Sequence, residues 1–342
     1  MRKPASEIKS VLVHVGLDRL GDGLLKLPFV RGLKAAFPNA HVTWFCGKEN
    51  SVYASTLAPL AKGFLDEIIE YAGVGESPRE LLGPRPLRSR SFDLVIDTQR
   101  NFWIALAVRR IRHAAFVSPA AKFLLSSAKP TAGYKFPKAM QRQMLDLLEI
   151  ASGQRFDTPA SLDLELPDEH IAAARSLLPD GASYVAFAPG SGGRPKCWPL
   201  DRFIAVARTA RDHGHKPVFL IGPQEEEWAD VISAELPDAL LPLQSDAARA
   251  FSYDPLLTIA MGAHMTAAVS NDSGIAHMMG VGGAPLIALY GPTVYEKFPP
   301  MTDDITVIRA ETFGSREMNA IPVDAVTSVL LARLAQRAKP AS

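Results

Sequence analysis

The chain has 342 residues, 47% of them hydrophobic and 21% charged, with 37 basic against 36 acidic side chains. That composition excludes a disordered or collagen-like chain, and a length about twice the usual ~100–150 residues of one domain predicts two. A net charge of +1 supplies no broad basic field for a phosphate backbone, so nucleic acid is not an expected partner.

The apolar run Val11–Gly16 near the N-terminus is too short for a signal peptide and reads as a first strand. From there the chain alternates strand and helix: strand Ser10–Val15, helix Gly23–Phe37, strand Val42–Cys46, a helix-like stretch at Ser51–Leu57, and a strand around Leu94-Val95-Ile96. Continuous apolar runs of this kind are expected of parallel strands covered by helices on both faces. The Gly- and Pro-containing segments 73–91 and 122–138 read as exposed connections. A second α/β run follows an acidic, Pro-containing stretch near Leu166. It reads as helix Asp168–Leu178, strand Tyr184–Ala188, helix Leu200–His213, strand Pro217–Ile221, helix Glu225–Glu235, helix Pro255–Gly262, strand Met265–Val269, helix Ser273–Gly280 and strand Pro285–Leu289. The domains are therefore placed at 1–166 and 167–321, with a last helix beginning at Pro322 and the chain ending at 342.

Cys46 and Cys197 lack CxxC spacing, which points away from a disulfide framework or a cysteine zinc site and fits a reducing cytoplasm. No stretch approaches the ~18–20 apolar residues of a membrane span, so any membrane contact is expected to be peripheral.

Three loops carry candidate chemistry, each after a strand, where open α/β sheets bind ligands. In the first, Gly16 to Gly23, Asp22 either caps the following helix or is a carboxylate that takes a proton from a hydroxyl, with Asp18 as a competitor. In the second, Pro189 to Pro199, three glycines, Ser191, Arg194 and Lys196 suit an anion such as a diphosphate, although neither the GxGxxG nor the Walker spacing is present. In the third, Ser270 to His277, the amides of Ser273, Gly274 and Ile275 open a helix and would face a phosphate, while Asp272 would accept from sugar hydroxyls or cap the helix. His277 is either a ligand contact or a packing histidine. Glu225, in the acidic run after Gly222, could hold a ribose, and Asp97 with Gln99 could line an acceptor cleft or end a strand. No HExxH, GxSxG or Asp-x-Asp motif is present, and no metal site is expected.

In register, the Leu20-Gly21-Asp22 loop before a Pro28-containing helix, the Phe92–Asp97 strand, Pro189-Gly190-Ser191 to Lys196-Cys197-Trp198-Pro199, and Asn271–His277 to Tyr290-Gly291-Pro292-Thr293 resemble glycosyltransferase family 9, the lipopolysaccharide heptosyltransferases. The resemblance implies a GT-B fold: two Rossmann-like α/β/α domains facing a cleft, acceptor-binding then nucleotide-sugar-binding, with the last helix returning to the first domain. It implies inverting, metal-independent transfer without a cofactor, from an ADP-heptose donor to a lipid A-linked inner-core acceptor at the cytoplasmic membrane face. By position, Asp22 would be the general base. Ser191, Lys196, Ser273, Gly274 and Ile275 would hold the donor diphosphate, and Asp272 and His277 the donor sugar. Glu225 and Phe251 would meet the nucleoside; Asp18, Asp97 and Gln99 would stand on the acceptor side. The alternatives are another sugar-nucleotide enzyme, an epimerase or hydrolase, or a non-catalytic nucleotide-sugar-binding protein on the same fold.

Overall fold

The computed structural model describes residues 4–337; residues 1–3 and the last five residues of the predicted C-terminal segment, 338–342, lie outside the described residues. The chain divides into two compact units, Met1–Pro159 and Ala160–Ser342.

In the first unit, β1 (Ser10–Val15), α1 (Leu20–Ala36), β2 (His41–Cys46), α2 (Ala58–Ala61), β3 (Glu67–Ile69), β4 (Ser91–Asp97), α3 (Phe102–Arg109), β5 (Arg112–Val117) and α4 (Met140–Ser152) succeed one another. The five strands are all parallel, in the order β3-β2-β1-β4-β5. Val11, Leu12 and Val13 are fully buried in the central strand, as their unbroken apolar run requires. Strand order reverses between β1 and β4, so the loops leaving their carboxyl ends form the switch point where such sheets bind ligands. Those loops are the Gly16–Asp22 and Asp97–Gln99 segments.

The second unit comprises α5 (Asp168–Leu177), β6 (Tyr184–Ala188), α6 (Leu200–Asp212), β7 (Lys216–Phe219), α7 (Trp228–Glu235), α8 (Asp246–Arg249), α9 (Pro255–Gly262), β8 (Met265–Asn271), α10 (Gly274–Val281), β9 (Leu286–Tyr290), β10 (Ile305–Arg309) and α11 (Val323–Arg337). Its parallel order β10-β9-β8-β6-β7 puts the switch point between β6 and β8. Two apolar layers sandwich the sheet, one with Phe187, Phe203 and Phe219, the other with Tyr184, Leu257 and Met261.

Two expectations are corrected. The boundary falls at Pro159 rather than Leu166, because residues 160–167 already belong to the second unit: Ser161 bonds Asp303 at 3.3 Å and Leu166 packs on the second core. The last helix, expected on the first domain, buries Val326, Leu330 and Leu334 in the second unit's own core and lies against α6. Replacing Leu330, which is fully buried there, by alanine should cost about 2–5 kcal/mol. A urea midpoint equal to that of the wild type would show that the helix contributes nothing to this core.

Candidate active site

The second unit's switch point is built by a loop tied across two strands. Asn271, fully buried at the end of β8, donates from Nδ2 to the Pro189 carbonyl (2.7 Å) and accepts at Oδ1 from the Trp198 amide (3.1 Å). One side chain thus clamps both ends of the Pro189–Trp198 loop. Trp198 is itself fully buried, with Nε1 donating to the Ile321 carbonyl at 2.9 Å and its ring edge-on to Phe203. Within the loop, the Ser191 hydroxyl donates to the Asp272 carbonyl at 2.8 Å, and the Lys196 ammonium lies 3.3 Å from the Asp272 carboxylate.

Directly after Asp272, Ser273 is the N-cap of α10, its hydroxyl accepting from the Ala276 amide at 3.4 Å. The first-turn amides of a helix have no intrahelical acceptor, and the helix dipole adds partial positive charge there. Gly274 and Ile275 therefore present N–H groups to a cavity of about 230 Å³ that they line with Ser191, Ser273, Glu225 and Met278. Gly190 is a glycine for a steric reason: a Cβ there would stand 2.7 Å from the Glu225 carboxyl group. That close approach desolvates Glu225 and raises its pKa, partly offset by a hydrogen bond from Gly222 and the charge of Arg194.

The donor-side residues expected from the sequence thus largely converge, with two refinements. Phe251 does not line the cavity; it packs on the His170 ring at 5.1 Å, while its neighbour Tyr253 donates from its hydroxyl to Glu226. His277 is buried, and burial, opposed by Asp272 and aided by Lys196, lowers its pKa to about 4, so the ring is neutral at pH 7. Its Nδ1 has no hydrogen-bond partner among the described residues.

On the first unit, Asp22 is half-buried in the first turn of α1. The N-cap position is Arg19, whose side chain makes no cap bond, and Asp22 stands three residues on as the acid of the first turn. Gly23 allows this helix start to settle on Val52, whose Cγ2 a Cβ would meet at 2.5 Å; the Tyr53 hydroxyl then bonds the Gly23 carbonyl at 2.6 Å. Gln99 is half-buried against Gly16, at the start of the Asp22 loop.

Asp18 and Asp97 are corrected from acceptor-side contacts to structural residues. Asp18 is buried and accepts from Lys26 Nζ (2.7 Å), Trp44 Nε1 (3.0 Å) and Ser51 Oγ (2.5 Å), which leaves its carboxylate no role as a competing base. Asp97 is fully buried against His14 Nδ1 and the Ser118 hydroxyl, both at 2.8 Å, and accepts from the Gln99 amide at 3.0 Å. Neither thiol is poised as a nucleophile: burial, then the Asp18 charge, pushes Cys46 up to about 12, and burial raises Cys197.

Three residues inside the quoted motifs carry roles that the motifs alone did not assign. Asn271 and Trp198 hold the anion loop, and their signal is a polar and an aromatic residue at strand and loop ends that must be buried. Tyr290, at the end of β9, has a buried hydroxyl with no hydrogen-bond partner among the described residues; burial, then the Asp272 charge, raises its pKa far above the ordinary phenol range. Tyr290 stays a donor. With Thr293, whose Oγ1 is likewise unpartnered, it lines a second cavity of about 180 Å³. Among the described residues no group of three or more His, Cys, Asp or Glu side chains is placed to hold a metal ion, and no helix is long and apolar enough to cross a membrane.

The family model described as glycosyltransferase family 9 (heptosyltransferase) matches residues 84–320. The chain belongs to glycosyltransferase family 9. It is 30% identical over 321 residues to lipopolysaccharide heptosyltransferase 2 of Salmonella typhimurium, covering 88% of each chain. With lipooligosaccharide heptosyltransferase 2 of Haemophilus influenzae it shares 31% identity over 126 residues, a match spanning 36% of either chain. The structure of the Escherichia coli ADP-heptose lipopolysaccharide heptosyltransferase II superposes with a TM-score of 0.66 at 21% identity, covering 97% of this chain and 100% of that one. The two Rossmann-like units are thus those of the GT-B class, as the family resemblance implied.

The buried neutral His277 gives a pH signature. Its folded pKa, about 4, lies below the unfolded 6.5, so its stabilising contribution is complete above pH 6.5 and is lost as pH falls toward 4. Urea midpoints should therefore fall less steeply from pH 7 to 4.5 in His277→Gln than in the wild type. Parallel profiles would place the imidazole in water instead.

Proposed function

We propose that this protein transfers a heptose from an ADP-heptose donor to a lipopolysaccharide inner-core acceptor, with inversion and with Asp22 as the general base, acting at the cytoplasmic membrane face. The observation that carries this reading is the placement of Lys196, the α10 amides and Asp272 together at the β6/β8 switch point. The names of the relatives support heptose as the sugar and ADP as its carrier.

In this reading the donor diphosphate lies in the cavity of about 230 Å³, against the Gly274 and Ile275 amides. Lys196 swings from Asp272 to the phosphate oxygens and meets the negative charge that grows on the leaving group, so that transfer proceeds without a divalent cation. Asp272 would repel a phosphate, and instead accepts from sugar hydroxyls; the unpartnered hydroxyls of Tyr290 and Thr293 offer further sugar contacts. The Glu225 carboxyl group, at the same cavity, takes the nucleoside's ribose.

At the other sheet, Asp22 removes the proton as the acceptor hydroxyl attacks C1 from the face opposite the diphosphate. A new C–O bond forms as the C1–O bond to the diphosphate breaks, giving ADP and an inverted linkage in one displacement. A positioned base of this kind contributes ~10²–10⁴-fold. Asp22→Asn should therefore lose transfer by ~10²-fold or more while ADP affinity is unchanged, and the wild type should keep its rate in EDTA. Radiolabelled sugar transfer to a lipid A-linked acceptor measures both. Undiminished turnover in Asp22→Asn would remove the base assignment.

A further inference from the structure

The carboxyl ends of the second unit's strands lie in a row. Glu225 follows β7, Ser191 and Lys196 follow β6, and Asp272 follows β8. Beyond Asp272 the row continues over β9 and β10. The Asp272 amide donates to the Leu289 carbonyl at 3.0 Å, which sets Tyr290, the last residue of β9, beside it. Arg309, the last residue of β10, is in turn the register partner of Tyr290. The cavity of about 180 Å³ opens at these two ends, and no residue that lines it also lines the cavity holding the α10 amides.

Its walls are polar and balanced. Gly291 lets the segment bearing Arg316 close on the end of β9, since a Cβ there would stand 2.6 Å from Met318 Sδ and 2.9 Å from the Arg316 carbonyl. The charged residues lining the cavity, among those described, are two arginines and two glutamates. Arg309 lies 2.6 Å from Glu296 and 3.5 Å from Glu311, which also meets Arg316 at 4.0 Å. A phosphate or carboxylate would find these cations already engaged, whereas a neutral polyol meets hydrogen-bond donors and acceptors side by side. Two hydroxyls are left over. Tyr290 is only 2% exposed, and neither its hydroxyl nor Thr293 Oγ1, both buried, has a hydrogen-bond partner among the described residues. A buried hydroxyl without a partner is costly, so a ligand that completes it is selected. The space also exceeds that of a single water, ~30 Å³.

We infer that this cavity is a polyol subsite for the exocyclic carbons of the transferred sugar, whose hydroxyls complete Tyr290 and Thr293, and that it sets the preference for a seven-carbon over a six-carbon sugar. The assignment rests on the ADP-heptose reading and adds to it the residues that read the sugar's length. Neighbouring strand ends are ~4.8 Å apart, about the width of a pyranose ring. A ring held by Asp272 at the end of β8, with its diphosphate toward β6, therefore extends its exocyclic carbons toward β9 and β10. A hexose stops one carbon and one hydroxyl short. It leaves a buried hydroxyl of the protein unpaired, and an unpaired buried group is what lets a polar site reject an analogue that lacks one hydroxyl.

Calorimetric binding of ADP, ADP-heptose and an ADP-hexose of the same ring configuration to the full-length protein tests this without an acceptor. The wild type should bind ADP-heptose about tenfold or more tighter than the ADP-hexose. Tyr290→Phe and Thr293→Val, which keep side-chain shape and remove one hydroxyl each, should narrow that ratio about three- to tenfold apiece, while binding of ADP alone reports that each variant is folded. Equal affinity of the wild type for the two sugars, or a ratio that both variants leave unchanged, would overturn the subsite even where the wild type transfers heptose. A heptose preference that the variants narrow, in a protein that transfers no sugar to a lipid A-linked acceptor, would keep the subsite and remove the transferase reading.

Discussion

The Asn271 side chain is the constraint on which the second unit's site depends. Its amide is buried at the end of β8 and satisfies two backbone groups of the Pro189–Trp198 loop, one at each end. Each bond is worth only about 0.5–1.5 kcal/mol net, but losing them would strand a buried carbonyl and a buried amide at about 1–3 kcal/mol each. The loop is therefore held at β8, where Asp272 and the α10 amides follow without a break. Ser191 and Lys196 then reach Asp272 from the loop side. Glycines make the loop small enough to approach a ligand, and the asparagine keeps that small loop from wandering.

The two units solve the same problem with different chemistry. At each switch point a helix starts directly after a central strand, but the second unit sets a cation and free amides at its helix start, which suits an anion, with the desolvated Glu225 carboxyl group at the same cavity. The first unit keeps Asp22 half-buried in the first turn of α1, and buries Asp18 and Asp97. A buried carboxylate is tolerated only when paired and hydrogen-bonded, and both have three such partners. Their pairing with Lys26 and His14 holds both carboxylates inside the first unit.

Much of this was legible in the residues. β1, β6 and α9 fall where continuous apolar runs bounded by Gly, Pro or polar residues put them, and the four motifs identified the loops that meet at the switch points. What escaped has physical causes. β3 has only three residues, and β5 and β10 are edge strands whose exposed or half-buried residues, such as Arg112 and Ile305, break the apolar signal. α4 follows Ala139, which offers no side-chain cap to mark its start. The helix expected at Glu225 begins only at Trp228, because Glu225 is drawn to the cavity. Asp18 and Asp22 are both acids in one Gly-bounded loop, and spacing cannot say which of two neighbouring carboxylates is buried. Phe251 was out of reach for the same reason: its partner, His170, lies far off in sequence.

In the function proposed above, the loop held by Asn271 and the start of α10 form a nucleoside diphosphate site whose charge is met by Lys196. Calorimetric titration of the purified protein with ADP, UDP and GDP in EDTA, comparing wild type with Lys196→Ala, tests it most directly. Preferential ADP binding without added metal is expected, weakened about tenfold or more by the substitution, as befits the loss of a charge-assisted hydrogen bond. Absence of nucleotide binding, or an affinity indifferent to Lys196, would contradict it.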